Sequence, residues 1–139
     1  RILSSAASDV YKRQELKGKV DIFFTAATYH HLDDVNGTLK QVYEYLKPGG
    51  KLIVIDFRKP EPSWYEKYGD DPKYNGAYDP DTYSSSNKPM FEWMKGHIRF
   101  TEKEAKDEIV MNGFVFDRNI MEDQWKHHFI HVYKKPAFF

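Results

Sequence analysis

Residues 20–57 read VDIFFTAATYHHLDDVNGTLKQVYEYLKPGGKLIVIDF. The runs at the two ends, residues 20–27 and 51–57, are short and almost continuously apolar, which is typical of strands buried on both faces of a parallel sheet. Between them, apolar residues recur at spacings of four, three and four, the pattern of one helix face: Val35, Leu39, Val42 and Leu46. Asp33-Asp34 offers an N-cap, and Pro48-Gly49-Gly50 stops the helix. We therefore predict a parallel strand pair joined by a helix over residues 34–46 in a right-handed crossover.

The remainder of the chain predicts a long loop, a helix and a hairpin. Residues 58–89 hold five of the seven prolines, and a stretch of this length is a lid, a binding loop or a disordered insertion. After a short amphipathic segment near Met90, Thr101 and Glu104 form a capping box, which predicts a helix that ends at Asn112-Gly113. Residues 114–121 and 127–133 are predicted to be two strands joined by a polar turn.

Composition excludes several classes of protein. The 139 residues suffice for one domain, and a 40% hydrophobic and 17% aromatic content can build a core. Basic and acidic residues number 21 each, so the charge does not favour nucleic-acid binding. No apolar run approaches the ~20 residues that a membrane span requires. The absence of cysteine excludes disulfides, thiolate ligands and a cysteine nucleophile.

The first fourteen residues form a separate segment. Residues 4–14, Ser-Ser-Ala-Ala-Ser-Asp-Val-Tyr-Lys-Arg-Gln, resemble the translation of a sequencing-library adapter followed by a transposon end. We interpret residues 1–14 as an artefact and expect them to be disordered and without tertiary contacts; the alternative is an ordinary polar helix. On this interpretation the true N-terminus is missing. We expect a cytoplasmic protein, although a lost signal peptide leaves an exported form open.

Tyr29-His30-His31 follows the first strand, and Leu46-Lys47-Pro48-Gly49-Gly50 precedes the second. These two motifs resemble the class I S-adenosylmethionine-dependent methyltransferases, in particular the group that includes quinone-ring methylases, and shorter resemblances continue to about Lys135. The resemblance implies an α/β, Rossmann-like half-domain with the order β-α-β, long loop, α and antiparallel β-hairpin, from which the N-terminal strands are missing.

This resemblance implies methyl transfer from S-adenosylmethionine to an unknown small molecule. The chain has no Gly-x-Gly motif, so we expect the cofactor's main binding elements to lie upstream and the fragment itself to be inactive. The sheet edge formed by residues 20–27 is then expected to be exposed and to self-associate. Two alternatives are a Rossmann-like nucleotide-binding domain and a methyltransferase-like domain without catalysis.

The cofactor and acceptor are expected at the carboxyl ends of the strands. Thr25, Ala26 and Ala27 end the first strand, and we predict that they face the cofactor; alternatively, the alanines are small because a helix packs on them. The candidates for a catalytic base are His30 and His31, which otherwise cap the helix or pack under the loop.

The candidates for acceptor binding are Tyr29, Asp56, His97 and Arg99. Asp56 can instead satisfy loop amides, and Arg99 can form a surface ion pair. We expect no metal site, because the remaining histidines (His127, His128 and His131) lie far from His30 in the sequence and lack a carboxylate at ligand spacing. We expect the aromatic residues of the long loop either to line a pocket for the methyl acceptor or to belong to a disordered insertion.

Overall fold

The computed structural model describes residues 2–4, 14–76, 89–120 and 127–137. The strands among them are β1 (Ile2–Ser4), β2 (Val20–Ala26), β3 (Leu46–Phe57), β4 (Val115–Asn119) and β5 (His128–Lys134). The α-helices are α1 (Val35–Tyr45), α2 (Pro62–Tyr68), α3 (Pro72–Asn75), α4 (Met90–His97) and α5 (Glu102–Met111), and 3-10 turns cover Gln14–Leu16 and Tyr29–His31. Within these ranges no helix has the length and apolar character needed to cross a membrane.

The strands form one mixed sheet in the order β1-β2-β3-β5-β4. β1, β2 and β3 run parallel, whereas β5 is antiparallel to both β3 and β4. Phe23 lies beside Leu52, and Thr25 lies beside Val54. The predicted parallel pair, its connecting helix and the C-terminal hairpin are confirmed, as is the α/β class.

Helix α1 has identifiable stabilising contacts at both ends. Asp34 accepts a hydrogen bond of 3.0 Å from the backbone N–H of Gly37, as an N-cap does. At the other end, Nζ of Lys135 donates to the carbonyl oxygens of Tyr43 (2.7 Å) and Leu46 (2.8 Å). A cation from the end of the chain therefore complements the negative end of the helix dipole.

One face of the sheet carries the core. Helices α1 and α5 contribute their buried residues to the same cluster as this face, which includes Phe23, Leu52, Val54, Phe129, Tyr133, Leu39, Val42, Ala105 and Ile109. Ile22, Phe24, Ile53 and Ile55 point to the other face and are only half-buried. β2 and β3 are thus buried on one face of the sheet and half-buried on the other, whereas we had expected both faces to be buried.

The N-terminal segment corrects one expectation. Ile2–Ser4 form β1 and pair in parallel with β2, Ile2 lying beside Ile22 and Ser4 beside Phe24. Residues 1–14 were expected to lack tertiary contacts, and for residues 2–4 this is wrong. Strand pairing uses backbone N–H and C=O groups, so an edge strand can pair with a segment of almost any sequence. β1 also covers part of the edge of β2 that was expected to be exposed. The origin of the segment stays a prediction, and residues 5–13 lie outside the described residues.

The long connection after β3 contains more regular structure than predicted. It includes α2 and α3, and α2 begins with Pro62, whose fixed φ suits a first helical turn. Asn75 links this region to α4, because its side chain donates to the carbonyl of Gly69 (2.8 Å) and accepts from the N–H of Phe91 (2.8 Å). Of the aromatic residues of the long loop that were considered for an acceptor pocket, Tyr78 and Tyr83 lie outside the described residues.

Candidate active site

The candidate site lies at the carboxyl ends of β2 and β3. Ala26 and Ala27 are exposed there, whereas Thr25 is buried. Ala27 has φ +53°, a left-handed conformation that is uncommon for a residue with a Cβ, and its N–H donates to the carbonyl of Ile55 (2.8 Å). The chain therefore turns sharply away from the sheet at this point. Because both alanines are exposed, no helix among the described residues packs on them and explains their small size.

A buried histidine–carboxylate pair follows this turn. Nδ1 of His30 lies 2.6 Å from Oδ1 of Asp56, and their side chains are 3% and 0% exposed. Asp56 also accepts from the backbone N–H groups of His30 (3.0 Å) and Phe57 (2.7 Å). A carboxylate is an acceptor only, so in the neutral imidazole the hydrogen lies on Nδ1 and the lone pair of His30 lies on Nε2. Asp56 thus sets both the tautomer and the orientation of the ring.

Two further imidazoles join His30. The ring centroids of His31 and His97 lie 3.9 and 5.1 Å from that of His30, and 5.2 Å from each other. We call these three residues the histidine cluster. One ligand nitrogen from each lies within 4.8 Å of the other two. His97 comes from the end of α4, where the ring of Trp93 stacks on it at 4.7 Å. His31 and His97 are exposed, whereas His30 is buried.

The surroundings of His97 favour its neutral form. Partial burial lowers the pKa of His97, and the neighbouring His30 and His31 lower this pKa further, whereas Asp56 opposes the shift. A second positive charge among three adjacent rings is repelled by the first. Near neutral pH, His97 is therefore an uncharged imidazole with a free lone pair.

Two of the proposed acceptor-binding residues lie in a different network. The hydroxyl of Tyr29 donates to Oε1 of Glu108, and the guanidinium of Arg99 contacts both carboxylate oxygens of Glu108 at 3.0 and 3.2 Å. Burial, followed by the hydrogen bond to Glu108, raises the pKa of Tyr29 above its ordinary value. Arg99 thus makes the ion pair that was its alternative, while Asp56 and His97 lie with His30.

The other three histidines do not join the cluster. His131 is buried between the hydroxyl of Tyr133 and Oε1 of Glu102, at 2.8 Å each. The hydrogen bond from His131, followed by Arg58, lowers the pKa of Glu102. Burial, followed by repulsion from His127, lowers the pKa of His128 to about 4.

Sequence reasoning missed two contributors to this region. Glu108, which holds Tyr29 and Arg99, and Trp93, which stacks on His97, carry no local signal that links them to the strand ends. The pairing of His30 with Asp56 did have a signal. Each lies at the carboxyl end of one of two neighbouring parallel strands, or just beyond it, and such residues meet at one edge of the sheet.

Comparisons with known proteins agree with this architecture. A family model described as a methyltransferase domain matches residues 4–54. An uncharacterized Escherichia coli K12 protein, YafE, is 45% identical over 40 residues, which are 29% of this chain and 19% of that protein.

Solved structures share the fold at low sequence identity. A SAM-dependent methyltransferase from Aquifex aeolicus superposes with a TM-score of 0.55 and 18% identity, covering 86% of this chain and 47% of its own. For the 1,6-didemethyltoxoflavin-N1-methyltransferase of Burkholderia thailandensis, with bound 1,6-didemethyltoxoflavin and S-adenosylhomocysteine, the TM-score is 0.53 at 14% identity. This match covers 91% of the present chain and 48% of that protein. The chain thus spans less than half of these two proteins. The chain therefore shares the fold of these methyltransferases, and its residues 4–54 match the model of a methyltransferase domain.

Proposed function

We propose that this chain belongs to a longer enzyme that transfers a methyl group from S-adenosylmethionine to a small-molecule acceptor. The observation that carries the proposal is the His30–Asp56 pair at the carboxyl end of the sheet, next to the exposed turn at Ala26 and Ala27. The fold supports it, because a structure that shares this fold holds S-adenosylhomocysteine, the product that methyl transfer leaves behind.

In the proposed enzyme, the cofactor lies against the turn that ends β2. Ala26 and Ala27 present small, exposed side chains there, so a ligand can approach the main chain closely, and the buried Thr25 precedes them at the end of β2. The methyl group of S-adenosylmethionine is bonded to a sulfonium, which is already a good leaving group. Catalysis therefore consists mainly of holding the acceptor in line with that methyl group.

His30 is the proposed catalytic base. The acceptor's O–H or N–H proton moves to Nε2 of His30 while the acceptor atom bonds to the methyl carbon and the carbon–sulfur bond breaks, releasing S-adenosylhomocysteine. Asp56 holds Nδ1–H and stabilises the imidazolium that forms. His31 and His97 line the same space and position the acceptor.

The proposed setting is a cytoplasmic one with a small acceptor. Equal numbers of acidic and basic residues give the chain no general affinity for nucleic acid. Self-association through the sheet edge is also proposed, but only along the part of the edge that β1 leaves free.

Cofactor binding tests the proposal. The 139-residue chain offers one wall of the cleft, so we expect no saturable S-adenosylmethionine binding by calorimetry at millimolar ligand. The same chain preceded by its own upstream sequence should bind in the micromolar range, a difference of roughly 4 kcal/mol or more. Tight binding by the 139-residue chain alone would show that the cofactor site is misplaced.

The proposed base is tested in the extended protein. His30→Gln should lower kcat by roughly 10²–10⁴-fold while the affinity for S-adenosylmethionine stays the same, because the base acts on the acceptor. His128→Gln removes a half-buried histidine outside the cluster and serves as the matched control. Full activity in the His30→Gln enzyme would contradict the assignment.

A further inference from the structure

The histidine cluster has the composition of a metal site. The part of the chain that the structure describes brings three imidazoles together, each with one nitrogen within 4.8 Å of the other two. Imidazole is a common ligand for zinc, copper and nickel. Three protein ligands with a fourth position left open are the usual arrangement of catalytic zinc sites. His31 and His97 are exposed, so an ion can reach the cluster from solvent.

The geometry requires only a small adjustment. Zinc–nitrogen bonds of ~2.0–2.1 Å in tetrahedral geometry place the ligand nitrogens about 3.4 Å apart. The longest separation in the cluster must therefore shorten by at most about 1.4 Å. His31 and His97 are exposed and can rotate, whereas His30 is buried and fixed. One rigid ligand and two adjustable ones can close on an ion without moving the sheet.

Asp56 completes the arrangement. A metal-bound histidine commonly donates its second ring N–H to a carboxylate, which fixes the ring and makes the ligating nitrogen more basic. Asp56 already makes this contact with Nδ1 of His30 at 2.6 Å, which leaves Nε2 for the ion.

We propose that His30, His31 and His97 bind one divalent transition-metal ion of the zinc type, with Asp56 as the carboxylate that orients His30. The inference stands apart from the proposed function, because metal binding is measured on the chain itself without cofactor or acceptor. A metal ion and a proton compete for the same lone pair on Nε2 of His30. A bound ion would therefore occupy the position from which His30 acts as a base.

The test is a metal titration of the 139-residue chain, prepared without a histidine tag. Co²⁺ is followed by its visible absorption, which reports tetrahedral coordination, and Zn²⁺ by calorimetry and by displacement of Co²⁺. We expect one ion per chain. His31→Gln and His97→Gln should each weaken binding at least tenfold, whereas the matched control His128→Gln should bind like the parent. Asp56→Asn should weaken binding by about 10–100-fold through the orientation of His30.

Each other outcome overturns the proposal. These outcomes are no saturable binding, a stoichiometry other than one, less than tenfold weakening in either exposed-histidine variant, or equal weakening by His128→Gln. If a variant no longer gives the parent's circular dichroism spectrum, the site is tested instead by chemical modification of histidine in the parent chain. Zn²⁺ should then shield both His31 and His97 from diethyl pyrocarbonate, as read by mass spectrometry. Unchanged modification of either residue would refute the site.

Discussion

Removing the Asp56 carboxylate should strongly destabilise the fold. Asp56 is fully buried and accepts three hydrogen bonds, from Nδ1 and the N–H of His30 and from the N–H of Phe57. Each buried donor that loses its acceptor costs about 1–3 kcal/mol, and breaking a buried pair by removing one partner typically costs about 3–5 kcal/mol. Since some of the freed donors will find water at the strand ends, we expect Asp56→Ala to lower the free energy of unfolding by about 3–5 kcal/mol.

The substitution Asp56→Asn removes the negative charge but keeps a side chain of the same shape that can still accept a hydrogen bond. The amide keeps one acceptor oxygen for His30 but turns an N–H₂ group toward a donor, so we expect a smaller loss of about 1–3 kcal/mol. The matched control is Asp107→Asn, whose carboxylate is 56% exposed and pairs with Lys103 on the surface of α5. This control should stay within about 0.5 kcal/mol of the parent.

The assay is urea unfolding at pH 7, followed by circular dichroism at 222 nm. Because the losses are a large fraction of the ~5–15 kcal/mol of a typical domain, they appear directly as shifts of the midpoint. If Asp56→Ala leaves too little folded protein to measure, the comparison of Asp56→Asn with Asp107→Asn decides. An Asp56 variant as stable as the control would refute the reasoning that the buried carboxylate holds this edge of the sheet together.

Two further predictions concern stability. The pKa of His128 is lowered to about 4 in the folded chain from an ordinary 6.5, so the unfolded state binds the extra proton first and stability falls as the pH drops from about 6.5 to 4. His128→Gln should flatten that part of a stability–pH curve, and a curve unchanged by the substitution would contradict the assignment. Thr101 caps α5 by accepting from the N–H of Glu104 at 3.1 Å while Glu104 accepts from the N–H of Thr101. Thr101→Ala should therefore cost about 1 kcal/mol in thermal or urea unfolding, compared with a substitution at the exposed Lys103, and no loss would mean that the box contributes nothing.

The sequence alone was sufficient for the elements whose signals are local. The periodicity of Val35, Leu39 and Val42 and the flanking apolar runs predicted the β-α-β unit, because a helix face and a buried strand are each encoded within a few neighbouring residues. The capping box at Thr101 and Gly113, which has φ +97°, likewise predicted the two ends of α5 from neighbouring residues alone. The carboxyl edge of the sheet, where we propose that ligands bind, followed from the same pattern.

Only the tertiary structure decided which side chains meet at that edge. His97 joins His30 and His31 because α4 packs back over the strand ends after a long connection, and no spacing in the sequence encodes that return. Glu108 likewise binds Tyr29 and Arg99 in a separate network. In the sequence, these two residues were as plausible as Asp56 and His97 for binding the methyl acceptor. β1 pairs with β2 through backbone groups, which side-chain patterns do not report. Local patterns determine helices and strands because their energetics are short-range, whereas a site assembled from distant segments depends on packing that only the folded chain provides.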